Sequence, residues 1–330
     1  MPLYKDVRPT DLSGVIGQEV AIGELRQMLA RCRATGDRLP DMLFTGPPGV
    51  GKTSVALAIA AEWFGPDWRQ SFYEMNASDE RGIDVVRTKI KPIAQTRGQR
   101  ILLLDEADRL TDEAQDGLRR IIENSKDTIF ILTCNKSYLI SDAIKSRCVP
   151  FYFRPLTQKE ISRVIINVCK TKGINFEASS AEEQRQLREG LEVLVKESGG
   201  DVRMALNILE RVLTEHKTIT AKDVIKYVQP NLVPKIVRSF IAGDWDTGYK
   251  ELTDCIHLSK YNTSEIVERF MDAINTEVQD KERRAFLLIK LSDVESRLRL
   301  GSTPIVQFSA FAGYLYVSPH LSGVIGIQQQ

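Results

Sequence analysis

A chain of 330 residues, 42% hydrophobic and 27% charged, is too long for one core and has the balance of two or three globular domains. Lys+Arg 45 against Asp+Glu 44 leaves a net charge of +1, so no global field singles out nucleic acid or a membrane, and local clusters must carry any such claim. Five scattered cysteines without a CxxC pair and three isolated histidines argue against a zinc site or disulfide framework. The opening MPLYKDVRPTD lacks an apolar signal core, and no stretch approaches about 18 apolar residues, so an intracellular protein without a membrane span is expected.

From about Asp41 to Phe153, short apolar runs alternate with helical patterns. The runs are MLFT (42–45), FYEMN (72–76), ILLL (101–104), TIFILTCN (128–135) and VPFYF (149–153). Short strands that are apolar on both faces and separated by helices predict a parallel sheet covered on both sides. Between them, Ile83, Val86 and Ile90 form one helical stripe, and Ala114, Leu118, Ile121 and Ile122 another.

After Pro155 the strands stop. Thr157 with Glu160 reads as a capping box opening a helix over 158–171. Helices are predicted at 181–198, 200–214 and 220–228, the last begun by Thr220 with Asp223. Gln229-Pro230 and Val233-Pro234 read as a hinge. Beyond it, Asn262 with Glu265 caps a segment whose Ile266, Phe270, Met271 and Ile274 share a face. A long helix runs to Gly301, and Pro304 opens a last one. Three domains are expected: 1–155 with the sheet, 156–229 small and helical, and 230–330 helical.

GPPGVGKT, residues 46–53, fits GxxxxGK[ST] between a predicted strand and a helix, the context that a P-loop requires. Its glycines let backbone N–H groups turn toward phosphate oxygens, and the helix N-terminus adds its dipole. Lys52 would reach the β- and γ-phosphates and Thr53 a magnesium ion. ILLLDEADRL (101–110) then acquires a purpose. A buried strand delivers Asp105 to the metal's water shell and Glu106 to the attacking water, in chemistry that depends on positioning. The letters DEAD do not make a helicase, because residues 156–330 show no run of strands for a second motor domain. Asp108 is expected to cap the following helix. Asn135, at the end of TIFILTCN, could orient the lytic water or simply occupy a turn. Arg147 in KSRC could serve a neighbour's γ-phosphate, and Arg203 in GGDVRMALNIL could close onto the phosphates. In isolation each is an ordinary surface arginine.

GPPGVGKT, LLLDEAD, LTCN, KSRC and GGDVRMALNIL occur in this order, and with EMNASDERGIDVVR the chain resembles an AAA+ clamp-loader subunit, specifically the small subunit of replication factor C of archaeal or eukaryotic type. The motifs fall within residues 1–215. The resemblance implies an α/β P-loop (AAA+) domain, a helical lid and an all-α collar. It implies a heteropentamer with a large subunit and other small subunits, which uses ATP and Mg2+ to open a sliding clamp and close it on primer–template DNA. The site would lie inside the cell, in the cytoplasm or nucleoid of an archaeon or the nucleus of a eukaryote. Gly46, Pro47, Pro48, Gly49, Val50, Gly51, Lys52, Thr53 and Ser54 carry over as the phosphate loop, Thr53 and Asp105 as metal ligands and Glu106 as the second carboxylate of the strand. Asn135 carries over as sensor 1, Arg147 as the finger acting on the adjacent subunit's ATP and Arg203 as sensor 2. VRP (7–9) and VIGQ (15–18) match the adenine-pocket segment, with Val7, Arg8 and Ile16 against the nucleotide. Two departures stand out. Val7 replaces an aromatic of the family, and Pro92 falls where the family continues a helix, so that helix is expected to kink or end near Lys91.

Across 81–100, Arg81, Arg87, Lys89, Lys91, Arg97 and Arg100 face only Asp84. Arg87 and Lys91 are one turn apart, spaced to follow a phosphate backbone, and Arg81 joins them as a candidate DNA contact. Without interleaved aromatics, shape and charge readout is expected over base readout. Gln115 and Arg119 on the next helix could couple DNA contact to the strand bearing Asp105. Two other readings stay open. A branch-migration motor or replication initiator would carry a winged helix, and strands within 231–330 would favour it. A structural subunit would turn over no ATP.

Overall fold

The computed structural model describes residues 3–78, 81–173, 180–215, 223–224, 232–258 and 263–319. Predicted features at Thr220, most of 220–228, Gln229-Pro230 and Asn262 lie outside the described residues. The chain divides into two compact units, Met1–Val228 and Gln229–Gln330.

The first unit is built on five parallel strands in the order β2-β3-β4-β1-β5: β1 Met42–Thr45, β2 Phe72–Asn76, β3 Arg100–Asp105, β4 Thr128–Cys134 and β5 Val149–Tyr152. Alternation splits the three inner strands, β3, β4 and β1, between two cores. Met42, Phe44, Ile101, Leu103, Ile129 and Ile131 face one layer, with the helices Glu19–Thr35 and Lys52–Phe64. Leu43, Leu102, Leu104, Phe130 and Leu132 face the other, with Ile83–Val85, Val86–Ile90 and Asp112–Asn124. This double coverage is why ILLL runs without a polar break. The apolar stretch ends at Asp105 because there the strand emerges from between the layers into a cleft.

Among the described residues, side chains beyond Pro155 share a core with the sheet. Leu156, Ile161, Ile165, Leu194, Ala205 and Leu209 are buried in the same cluster as the first face of the sheet, so the packing shows no break at 155/156. The predicted capping box is present. Glu160 N–H donates to Thr157 Oγ1 at 3.3 Å, and Thr157 N–H donates to Glu160 Oε2 at 2.7 Å. Arg154 forks onto the same carboxylate at 2.9 and 2.7 Å, while Gln18 holds the Arg154 backbone at both N–H (3.1 Å) and C=O (2.7 Å).

The helix carrying Pro92 does not end at Lys91. It runs over 83–95, with a π-helical turn at Val86–Ile90 before the proline and α-helix resuming at Lys91–Gln95. Lys91 N–H reaches back to Val86 C=O, and the widened turn accommodates a residue that has no N–H and a bulky ring.

In the second unit the described residues form five helices: Val233–Ile241, Trp245–Leu258, Thr263–Glu277, Lys281–Arg299 and Pro304–Val317. They close on Phe240, Phe270, Phe308 and Phe311, with Phe270 5.6 Å from each of the last two rings. Two expectations are corrected. Val233-Pro234 is not a hinge but the first turn of a helix, where proline's missing N–H costs nothing. Met271 is 43% exposed, turned away from the buried face of Ile266, Phe270 and Ile274, since one residue advances a helix by about 100°. No strand occurs among the described residues of this unit, so the observation that would favour a winged helix is not made there. Among the described residues, no helix is long and apolar enough to cross a membrane.

Candidate active site

The adjacent strands β3, β4 and β1 end side by side, and each delivers one part of the site. Such a site at the carboxyl ends of parallel strands is where open α/β sheets bind ligands. The loop after β1 turns through Gly49 (φ 72°) and Gly51 (φ 101°), a left-handed backbone that glycine adopts without strain. A side chain at Gly49 would also land on the Asp201 carboxylate, and Val202 N–H donates to Gly49 C=O at 3.1 Å. The loop is thereby fastened to the start of the helix Val202–Glu215, which carries Arg203.

Lys52 opens the helix Lys52–Phe64 and is buried. Its Nζ donates to Gly46 C=O at 2.6 Å, Pro47 C=O at 2.7 Å and Asn135 Oδ1 at 2.9 Å. Burial lowers its pKa to about 8, although Asp105, Cys134 and Asp108 pull it back up. An ammonium held by neutral oxygens in a dry cradle is poised for a stronger acceptor, and phosphate is one. Thr53 Oγ1 lies 3.1 and 3.3 Å from the two Asp105 oxygens, and Thr133, buried in β4, donates to Asp105 Oδ1. These hydroxyl and carboxylate oxygens are hard donors of the kind magnesium takes, together with water and substrate phosphate, which needs no all-protein cage.

Glu106 has a left-handed backbone (φ 56°), uncommon for a residue with a Cβ. Its N–H is held by Thr133 Oγ1 at 3.1 Å and its C=O by Arg109 N–H at 2.9 Å. This kink turns its side chain away from the direction of the strand. Asp108 does not cap the following helix, as the sequence suggested. Thr111 does so, and Asp108 instead accepts the N–H groups of Asn135 (3.3 Å) and Lys136 (3.2 Å), tying the end of β4 to the end of β3.

One cleft of about 520 Å³ brings together Val7, Arg8, Ile16, Pro48 to Ser54, Asp105, Glu106, Asn135 and Arg203. Gly46 and Pro47 stand behind it, holding Lys52. Sequence reasoning missed Tyr4, Thr133 and Asp201. Tyr4 lines the cleft with its ring 5.6 Å from the Arg203 guanidinium, one helical turn before Val7, so an aromatic returns to the pocket from a different position. A threonine within the apolar run TIFILTC was a readable signal; Tyr4 and Asp201 carried none.

Arg147 is not part of this cleft. It pairs with Glu123 and donates to Ala143 C=O at 2.6 Å. Arg87 and Lys91 line a separate groove of about 1040 Å³ against Asp112–Asn124, whose lining also includes Arg97, Arg120 and Lys126 as well as Glu113, Asp116 and Asp127. Arg81 is exposed outside that groove. Arg100, counted in the basic cluster, is buried and turned onto the carbonyls of Arg97 and Gly98, so it is withdrawn from any DNA surface. Gln115 is buried and bridges Leu110 C=O (3.3 Å), Leu139 C=O (3.0 Å) and Ser141 N–H (2.8 Å).

A glycine-rich loop after β1, carboxylates after β3, an amide after β4 and a helix-borne arginine around one cleft define a P-loop ATPase domain of the AAA class. Residues 42–156 match the model of the ATPase family associated with various cellular activities (AAA), and residues 228–314 match the replication factor C C-terminal domain. The chain is 34% identical to the replication factor C small subunit of Archaeoglobus fulgidus over 93% of its length and 95% of the relative's. It is 32% identical to replication factor C subunit 3 of Saccharomyces cerevisiae, over 96% and 94% of the two chains. Among solved structures, the Thermotoga maritima RuvB Holliday junction branch migration motor superposes with a TM-score of 0.57 at 22% identity, over 71% of this chain and 79% of that one, a likeness of fold. The chain belongs to the replication factor C small-subunit family and is a clamp-loader ATPase of DNA replication.

Proposed function

We propose that this chain grips ATP with the 46–54 loop and, within a hetero-oligomer of replication factor C large and small subunits, uses its hydrolysis to open a sliding clamp and load it on primer–template DNA. The observation that carries this reading is the pair of contacts Lys52–Asn135 and Thr53–Asp105, brought into one cleft from three adjacent strand ends.

When the triphosphate enters, Lys52 exchanges loop carbonyls for phosphate oxygens. Thr53 and Asp105 would hold Mg2+, which when bound neutralises charge on the β- and γ-phosphates. Glu106 takes the proton of the attacking water, which Asn135 orients. Arg203, steadied by the Tyr4 ring, approaches the phosphates from residues 156–229 acting as a lid. Val7, Arg8 and Ile16 receive the base. Arg147, outside its own cleft, serves the adjacent subunit's γ-phosphate, and residues 230–330 form the collar that holds subunits together. Arg87 and Lys91, with Arg81 nearby, meet the DNA backbone. Membership of a replication family supports an intracellular place for the chain.

Two substitutions test the core of this reading. Lys52→Ala should weaken ATP binding by about ten- to 150-fold, the size of a lost charged hydrogen bond (~1.5–3 kcal/mol). Glu106→Gln should keep ATP bound while slowing hydrolysis by ~10²-fold or more. Equilibrium binding and single-turnover hydrolysis by the assembled complex separate the two effects. Normal turnover with either variant would overturn the assignment.

A further inference from the structure

Glu123 stands in the last turn of the helix Asp112–Asn124, and two guanidinium groups share one of its oxygens. Arg147 Nη2 donates to Glu123 Oε1, and Arg119 Nη1 reaches the same atom at 3.2 Å from one helical turn earlier. Arg147 and Glu123 side chains are each 33% exposed, and Arg119 is 30% exposed, so the triad is partly open to solvent.

We propose that Glu123 is a positioning residue for Arg147: it holds the guanidinium on this chain until a neighbouring subunit's triphosphate arrives, then releases it while Arg119 stays to neutralise the carboxylate. The proposal rests on the reading of Arg147 as the group that completes a neighbour's site.

The charge balance favours such an exchange. A partly exposed arginine–carboxylate pair is weak, whereas a triphosphate in a closing, water-poor interface is a strong acceptor for the same fork of donors. If Arg147 were the lone partner of Glu123, its departure would leave a bare carboxylate facing a highly charged anion. Arg119 removes that repulsion, since its bond to Glu123 is already formed and needs no rearrangement. Glu123 therefore sets how readily Arg147 leaves, and Arg119 sets how costly its leaving is.

The test uses the assembled complex and reads single-turnover hydrolysis at the site to which this chain contributes Arg147. Arg119→Ala should slow that hydrolysis by about three- to fivefold, the scale of an exposed ion pair, with KM for ATP unchanged. Glu123→Gln should raise the DNA-free rate by a similar factor, because a neutral amide no longer retains the guanidinium. In the double variant the Arg119→Ala defect should vanish, because no carboxylate is left to neutralise. A Glu123→Gln rate as low as that of Arg147→Ala, or additive effects in the double variant, would overturn the proposal while leaving Arg147's role in place. A neighbour's site that ignores Arg147→Ala would overturn both.

Discussion

Lys52 shows how a single residue can be prepared by its surroundings. Its pKa of about 8 means that the nucleotide-free chain loses this proton well below the ordinary lysine value of 10.5. A triphosphate binds the charged form, so binding above pH 8 must be accompanied by proton uptake, and affinity should fall as pH rises, by at most about tenfold per unit. Calorimetry in buffers of different ionisation enthalpy would measure the uptake, which should disappear in Lys52→Ala. The lysine itself was legible in GPPGVGKT, because the spacing of glycines and a β-to-helix turn leave few other uses. Asp108 was not legible. Its partners, Asn135 and Lys136, lie far along the chain, and local periodicity carries no information on bonds between strand ends.

At the scale of elements, the junction between β5 and the helix Gln158–Thr171 depends on Glu160. The Arg154 fork, backed by the Thr157 N–H and hydroxyl, holds this buried carboxyl at about 2, against an ordinary 4.5. Because the folded value is depressed, the contribution to stability is complete above pH 4.5 and is lost as pH falls toward 2. Acid melts should show it as a loss of stability in that window that Glu160→Gln lacks. Glu160→Ala should cost about 1–3 kcal/mol at neutral pH, since the cap and the partner of Arg154 go together. Thr157 and Glu160 were readable as a capping box, but the arginine that joins them was not, because its approach is set by where the last strand ends. Likewise the stripe of Ile83, Val86 and Ile90 was readable, whereas the π turn that lets Pro92 remain inside a helix was not. A proline signals that a hydrogen bond is missing without saying how the backbone will absorb the loss.

For the whole molecule, the two units have separate aromatic and aliphatic cores. Phe270→Ala should therefore cost about 3–5 kcal/mol in the second unit alone. Differential scanning calorimetry should show one transition moving while the ATP affinity of the first unit is unchanged; a shift of both would mean that they melt as one. The sheet was legible almost to the residue because buried parallel strands leave continuous apolar runs. The extent of the first unit was not. Where strands give way to helices the composition changes, yet the core continues across that point, and patterning records the element type, not the layer it packs on.

The amide-to-carbonyl bond between Val202 and Gly49 has a consequence for the order of events. The strap around the phosphates and the rod bearing Arg203 are riveted together, so neither can be reshaped without tugging on the other. Position 49 should then refuse even a methyl group in chains asked only to retain nucleotide and never to cleave it. The fault there would be mechanical, a rivet hole filled, with the chemical groups still intact.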